Sequence, residues 1–303
     1  MNDAGLADLS DESRAAVAVA LDEVYAPRFA GDAIASTRLG QILAIAERLD
    51  TLAGGFAAGL KPSGNKDPFA LRRNALGLAR TLIEGGLDFN IVGVLEAAVD
   101  QAKRAMLTAA PAAQFTAAAV LTKSVDGRSI DVDVLDLYAF TLDRLRSYFA
   151  ERGVGAALFD AVAATKPVSL VDFADRLAAL QRFAELPEAT ALAAANRRAR
   201  NILRKLDGAI PATIDASKLV EPAERELHAA LVAALADTDA TLAARDYVAV
   251  LSRLSALRAP VDAFFDTVMV MADDPAIRDN RLALLKALTD RFATVAAIEQ
   301  LAT

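Results

Sequence analysis

The single histidine of the chain, His228, lacks the partner residues that the common catalytic and metal sites require. A two-histidine metal centre needs a second histidine, and a cysteine nucleophile or zinc ligand needs cysteine, of which the chain has none. A Ser-His-Asp triad would need this histidine as its general base. We interpret His228 as an ordinary histidine at the surface or boundary of a helix. The sequence therefore predicts no catalytic residue.

Two carboxylates, Asp262 and Asp266, are spaced four residues apart and would share one face of a helix. Such a pair can hold a divalent cation, but more often it lies in water or pairs with an arginine, so we predict no metal ligands. Arg281 falls on the apolar side of its helix, and a buried arginine needs a carboxylate or carbonyl partner. The sequence predicts an ion pair between Arg281 and an aspartate such as Asp262 or Asp266, in preference to an RNA contact.

A loop at residues 59–68 is the nearest likeness in the chain to a phosphate-binding loop. It lacks the Gly-Lys-Ser/Thr ending and no strand precedes it, so we do not expect a nucleotide site there. Lys61 and Lys66 are candidates for contact with RNA phosphates. A loop that simply lies in water is the alternative.

The strongest nucleic-acid pattern lies at residues 193–206, where the spacing predicts a two-sided helix. Its apolar side consists of Ala195, Ala199, Ile202, Leu203 and Leu206. Its opposite side carries the candidate RNA-binding residues Arg197, Arg200, Asn201, Arg204 and Lys205, with Arg198 on the flank. A row of cations of this kind suits phosphate contacts. It equally suits a face that lies in water or pairs with acidic residues of the same protein.

The elements that position these residues are predicted to be helices throughout. Hydrophobic residues make up 54% of the chain, many of them alanine, and aromatic residues only 6%. Asp67-Pro68 and Gly85-Gly86 predict a helix over 68–84 by supplying an N-cap, a first-turn proline and a stop. Further helices are predicted over 223–236, 241–257 and 275–300. The apolar spacing is helical everywhere, so the predicted fold class is all-α.

The composition also restricts the setting in which the protein works. The absence of cysteine fits a reducing cytosol, and no apolar stretch approaches the about 20 residues that a membrane span needs. We therefore expect a soluble, cytoplasmic protein with no membrane contact. The formal net charge of −7 weighs against nucleic acid when taken alone, yet a local row of arginines can still bind phosphates.

Several segments together resemble the glycyl-tRNA synthetase β-subunit family. YAPRFAGD (25–32), AERLDTL (46–52) and GLKPSGNKDPFALRR (59–73) are similar to the part of that subunit with an HD-like helical domain. NRRARNIL (196–203) and VDAFFDTVMVMADDPAIRDNRLALL (261–285) resemble its C-terminal anticodon-binding domain, of the DALR type shared with arginyl-tRNA synthetases. The resemblance implies an HD-like helical domain over 1–108, a helical connecting region over 109–190 and a helical-bundle anticodon-binding domain over 191–303.

The resemblance further implies a function as the tRNA-binding portion of a glycine–tRNA ligase, with tRNA-Gly and the α subunit as partners. The family's subunit is longer, so we expect this chain to be a fragment that lacks the start of the HD-like domain. In the family, the α subunit activates glycine, and the whole enzyme uses ATP and Mg²⁺. We therefore expect no cofactor and no catalysis in this fragment, and the lone histidine removes any His-Asp metal pair. The alternative is a non-catalytic helical scaffold that mediates subunit assembly.

Overall fold

The computed structural model describes residues 10–109, 124–125, 128–129, 134–206 and 209–302. Within these ranges the chain is all-α, as predicted, apart from one hairpin of two-residue strands. It divides into two compact units. The first comprises residues 1–151 and 168–171, and the second comprises residues 152–167 and 172–303. The three-part division into 1–108, 109–190 and 191–303 stays a prediction.

In the described ranges the first unit contains five α-helices and the hairpin. The elements are α1 (Asp11–Asp22), α2 (Arg38–Ala57), α3 (Leu71–Glu84), α4 (Ile91–Ala109), β1 (Ser124–Val125), β2 (Arg128–Ser129) and α5 (Val134–Ala150). Helices α2 to α5 pack around fully buried leucines, among them Leu52, Leu78, Leu95 and Leu145. Their burial supplies the main free energy that holds this unit together.

The second unit contains the remaining helices of the described ranges, apart from residues 170–171, which belong to the first unit. They are α6 (Ala156–Ala163), α7 (Leu170–Ala184), α8 (Ala189–Arg204), a 3₁₀ turn (Ala216–Lys218), α9 (Pro222–Ala243), α10 (Tyr247–Ser255), α11 (Arg258–Thr267), α12 (Pro275–Ala293) and a last 3₁₀ turn (Ile298–Leu301). Phe183 and Phe292 meet in its core with ring centroids 6.4 Å apart. No helix in the described ranges combines the length and apolar character needed to cross a bilayer.

Helix α3 begins later than the sequence predicted. Asp67 is not its N-cap residue, which is Ala70, but the Asp67 carboxylate accepts hydrogen bonds from the backbone N–H groups of Leu71 and Arg72 at 2.8 and 2.9 Å. The residues after Asp67 form a turn, however, and Ala70 adopts a left-handed conformation with φ of 52°. The helix therefore starts at Leu71, not at residue 68. Its predicted end is confirmed, since Gly86 follows with φ of +61°.

The break predicted between residues 236 and 241 is wrong, because α9 runs unbroken through them. Asp237-Thr238-Asp239 reads locally as a boundary. In the structure the buried hydroxyl of Thr238 donates to the carbonyl of Ala234 in its own helix. The same hydroxyl accepts hydrogen bonds from Arg291 of α12. The Thr238 hydroxyl thus has hydrogen-bond partners within a continuous helix, and it does not compete with the helical backbone hydrogen bonds at this point.

Arg281 is buried, as predicted, but its carboxylate partner is Glu224 of α9 and not Asp262 or Asp266. Glu224 is fully buried and also accepts a hydrogen bond from the backbone N–H of Glu221, which closes the capping box at the start of α9. The Arg281 guanidinium donates in addition to the carbonyl of Met269 at 2.7 Å. One arginine therefore ties α12 to the start of α9 and to the loop before α12.

Replacement of Arg281 by Met should destabilise the chain by about 3 to 5 kcal/mol, because it leaves the Glu224 carboxylate buried without its counter-charge. The double variant R281M/E224Q removes that charge and should recover most of the loss. Urea unfolding followed by circular dichroism measures both effects. The control R278M removes a partly exposed arginine from the same helix and should change the unfolding free energy by less than about 0.5 kcal/mol. A double variant as unstable as R281M would contradict this account of the pair.

Candidate functional site

A groove of about 630 Å³ lies in the second unit, where α8, α12 and the last 3₁₀ turn meet. It is lined by Arg197, Arg200, Asn201, Leu203, Arg204, Ile210, Lys286, Thr289, Asp290, Glu299 and Gln300. The structure thus brings together Arg197, Arg200, Asn201 and Arg204, which the sequence singled out on one side of a helix. We call this site the α8 groove.

The floor of the α8 groove is fixed by a polar contact that the sequence did not indicate. Asn196 is buried and its side-chain amide donates to the Glu299 carboxylate at 2.8 Å. Of the five residues that the sequence placed on the inward side of α8, only Ala199 is buried, and Ala195, Ile202, Leu203 and Leu206 are half-buried. The buried residues of the helix are Ala189, Leu192, Ala193, Asn196 and Ala199. A polar residue on the inward side breaks the apolar pattern of the helix. The local pattern could not predict it, because its partner lies 103 residues further along the chain.

Arg197 lies in the α8 groove but is committed to the fold. Its Nε donates to the carbonyl of Glu299 at 3.1 Å, and its guanidinium also donates to the carbonyl of Ala302. These contacts hold the last 3₁₀ turn against α8 and satisfy carbonyls that no helix continues to bond. Two of its three guanidinium nitrogens, Nε and Nη2, are thereby bonded to the backbone.

Arg200 and Arg204 are the more available cations. The Nε of Arg200 lies 3.5 Å from the Glu299 carboxylate, a distance at which charges attract without a good hydrogen bond. Arg204 is exposed, and its guanidinium donates to the side-chain oxygen of Asn201 at 3.1 Å, on the same exposed turn. Arg204 and Asn201 therefore present donors side by side at the mouth of the groove.

Two other cations of α8 do not line the groove. Lys205 is exposed and follows the last helical residue. Arg198 points elsewhere, since its guanidinium lies 4.5 Å from the centroid of the Phe265 ring, a cation–π contact. Sequence reasoning missed Lys286 of α12, which lines the groove and pairs with Asp290 one turn along its helix. The i, i+4 spacing of Lys286 and Asp290 indicates an ion pair within one helix, but it does not indicate which surface of the protein the pair lines.

Lys61 and Lys66 belong to the first unit and are exposed there. The ammonium of Lys61 lies 2.8 Å from the Asp136 carboxylate and 5.3 Å from the centroid of the Phe56 ring. Lys66 closes a tight turn with Ser63 through paired backbone hydrogen bonds of 2.9 and 3.2 Å. Both lysines remain predicted RNA contacts, but Lys61 already pairs with a carboxylate and the backbone of Lys66 already forms a turn.

The charge balance of the α8 groove favours anions. Its lining includes four cations, Arg197, Arg200, Arg204 and Lys286, against two carboxylates, Asp290 and Glu299. A concave surface with excess positive charge attracts phosphate groups over distances set by the salt concentration. In the described part of the chain, no cluster of three or more acidic or histidine side chains could hold a metal ion. The arrangement is thus suited to binding a polyanion.

Comparison with known proteins assigns both parts of the chain. Residues 7–164 match the family described as glycyl-tRNA synthetase beta subunit, and residues 192–298 match the DALR anticodon binding domain. The chain is 56% identical over 287 residues to the glycine–tRNA ligase beta subunit of Xanthomonas campestris pv. campestris (strain 8004), covering 95% of this chain and 39% of that protein. It is 48% identical over 295 residues to the corresponding subunit of Xylella fastidiosa (strain M12), covering 94% and 41%. The chain therefore spans about two fifths of the length of these relatives.

Replacement of Asn196 by Ala should lower the free energy of unfolding by about 1.5 to 3 kcal/mol, because it removes a buried hydrogen bond to a charged carboxylate. Replacement of Asn201 by Ala, exposed on the same helix, is the matched control and should cost less than about 0.5 kcal/mol. Chemical denaturation of the two variants beside the unaltered chain makes the comparison. Equal losses would mean that the Asn196–Glu299 contact does not anchor the groove.

Proposed function

This chain belongs to the glycyl-tRNA synthetase beta subunit family, and we propose that it is the tRNA-binding portion of a cytoplasmic glycine–tRNA ligase. In this role it holds tRNA-Gly for aminoacylation that the ligase carries out together with its α subunit. The proposal concerns the activity of the whole protein, of which this chain spans only a part.

One observation carries the proposal, which is the position of the α8 groove. Its lining residues from Arg197 to Arg204 and from Lys286 to Asp290 fall within the residues that match the DALR anticodon binding domain. An excess of cations in a groove supports contact with the phosphates of an RNA arm. We favour this role over that of a scaffold for subunit assembly, because the groove lies in the part of the chain that matches an anticodon binding domain.

The residues take different parts in this proposal. Arg200 and Arg204 contact phosphates, with Lys286 adding charge from the other side of the groove. Arg197 acts mainly by holding the last 3₁₀ turn, through the carbonyls of Glu299 and Ala302. Asn201 has both a donor and an acceptor in its side chain and so could bond a base edge or a ribose hydroxyl. Lys205, Lys61 and Lys66 are further proposed phosphate contacts.

The proposed division of labour follows the three predicted regions. Residues 191–303 bind the anticodon arm, residues 1–108 form the HD-like domain and residues 109–190 connect them. ATP and Mg²⁺ belong to the whole ligase in this proposal, and we assign neither to residues of this chain.

The double variant R200A/R204A should bind tRNA-Gly more weakly and with a flatter salt dependence than the unaltered chain. Each lost phosphate contact should lower the slope of log K against log salt by about 0.7 to 0.9. Because phosphates carry no sequence information, cognate and non-cognate tRNA should be affected alike. Fluorescence anisotropy titrations at several salt concentrations give both quantities.

The matched control is R253A/R258A, which removes two exposed arginines outside the α8 groove and changes the net charge equally. Circular dichroism confirms that all variants fold. If R200A/R204A and R253A/R258A have the same slope, the α8 groove does not bind tRNA, and the cations of α8 are only a solvated face.

The purified chain alone should not catalyse glycine-dependent exchange of pyrophosphate into ATP. The reason is that the resemblance assigns glycine activation to the α subunit and that the sequence has no phosphate-binding loop of the kind that holds ATP. Radiolabelled exchange measured with the chain alone, and again with added α subunit, tests this. Exchange by the chain alone would contradict the proposed division between the two subunits.

A further inference from the structure

The loop between α1 and α2 is held by two arginines whose donors are directed at its backbone. Arg48 is buried, and its guanidinium donates to the carbonyls of Tyr25 and Pro27 at 2.9 and 3.1 Å. Arg80 is also buried and donates to the carbonyls of Ala30 and Asp32 at 2.8 and 2.7 Å. A loop whose carbonyls are bonded in this way has few alternative conformations open to it.

Arg80 is itself fixed by neighbouring side chains. Its Nε donates to the Glu84 carboxylate at 2.7 Å, and the Tyr148 hydroxyl donates to the same carboxylate at 2.9 Å. The hydrogen bond to Glu84 raises the pKa of Arg80, with burial acting in the opposite direction. The guanidinium is therefore charged and held in place, and its hydrogen bonds to the carbonyls of Ala30 and Asp32 fix the loop.

This ordered loop displays an aromatic side chain to solvent. Phe29 is 64% exposed, although its neighbours Ala26 and Pro27 are buried. An exposed phenylalanine forgoes the free energy that burial would give it. A rigid backbone that presents such a ring is suited to stacking, because little entropy is lost when a flat partner settles on it.

Arginines surround the exposed ring. Phe29 lines a groove of about 470 Å³ together with Arg28, Arg72, Arg73 and Arg144. All of these residues lie in the first unit, on the α1–α2 loop, at the start of α3 and in α5. We call this site the Phe29 groove.

The positive charges of the Phe29 groove exceed the negative charges beside them. Arg28 lies 3.6 Å from the Asp32 carboxylate, which is already bonded to the backbone N–H groups of Arg28 and Ala33. Arg144 pairs with Asp143, but its Nε is buried without a hydrogen-bond partner in the described ranges.

The remaining two arginines have no carboxylate partner among the described ion pairs. Arg72 donates to the carbonyl of Gly64 at 2.7 Å, and Arg73 is exposed. Four guanidinium groups thus face two carboxylates, on a chain whose formal net charge is −7. A local excess of charge against the balance of the chain indicates an anionic ligand.

We infer that the Phe29 groove binds an unpaired nucleotide of RNA, with Phe29 stacking on the base and Arg28, Arg73 and Arg144 holding the flanking phosphates. An exposed ring beside several arginines is the combination by which proteins bind single-stranded nucleic acid, because every base offers a flat face and every linkage a phosphate. The inference rests on the proposed function, since it assigns a second RNA contact to the same chain. A phosphorylated peptide would use the arginines but has no base to stack on Phe29.

The test uses the whole chain and a short single-stranded RNA oligomer, with a duplex of the same length as a second probe. Replacement of Phe29 by Ala should weaken binding of the oligomer by about 5- to 150-fold, the range that follows from losing one base stack. Its salt slope should stay unchanged, because stacking releases no counterions. Replacement of Arg73 by Ala should flatten the slope. Binding of the duplex should respond to R73A but hardly to F29A, since paired bases cannot settle on the ring.

Two variants in the same unit serve as controls. F69A removes another exposed phenylalanine, outside the groove, and R14A removes an exposed arginine from α1. Phe29 and Arg73 are both exposed, so F29A and R73A should fold, as circular dichroism can show. Oligomer binding by F29A equal to that by F69A would overturn the inference. Binding of a phosphopeptide that depends on Arg73, with no oligomer binding, would also overturn it.

The two RNA proposals can fail separately. In the R200A/R204A background, adding F29A should weaken oligomer binding by the same factor as in the unaltered chain, because the two grooves are built from different residues. If F29A still weakens oligomer binding but R200A/R204A leaves tRNA binding unchanged, the α8 groove does not bind tRNA and the inference about the Phe29 groove stands. If R200A/R204A weakens tRNA binding but F29A leaves oligomer binding unchanged, the Phe29 groove does not bind RNA and the proposal for the α8 groove stands.

Discussion

Backbone carbonyls outside helices must find donors, and in this protein buried arginines supply them. In the first unit Arg48 and Arg80 together bond carbonyls along the loop 24–32. Burial lowers the pKa of Arg48, because desolvation disfavours its charged form. The packing around it is tight, since a Cβ on Gly77 would lie 2.4 Å from the Arg48 Nε. The conformation of the loop, and with it the display of Phe29, depends on these two side chains.

The second unit uses the same interaction at its C-terminal end. Arg176 of α7 donates to the carbonyls of Thr294 and Val295, where α12 stops, and also to the Asp172 carboxylate. Arg197 of α8 likewise donates to the carbonyls of Glu299 and Ala302, in and just after the last 3₁₀ turn. Arginine suits the task because its planar guanidinium offers five donors in fixed directions and stays charged at any working pH. The interior arginines are consequently occupied by the fold, and the arginines that we propose as RNA contacts are those that line the two grooves.

The helices and much of their capping could be predicted from the sequence, because periodicity and cap residues act within a few positions. The helix predicted over 275–300 does begin at Pro275, and the Asp274 side chain caps it. Long-range partners could not be predicted in this way. Arg281 was placed in the interior correctly, but its carboxylate lies 57 residues away on another helix, and no local pattern identifies it. For the same reason Asn196 and Lys286 were missed at the α8 groove, while Arg197, Arg200 and Arg204, which share one helix, were found together.

The central claim is that exposed arginines in the two grooves contact RNA, whereas the interior arginines only build the fold. Ultraviolet cross-linking of tRNA-Gly to the intact chain, with the attached peptides identified by mass spectrometry, tests this claim most directly. Adducts should fall on peptides that carry Phe29 or the turn Arg200–Arg204, and peptides around the buried Arg48 and Arg281 should carry none. Adducts confined to surfaces away from both grooves would contradict the account.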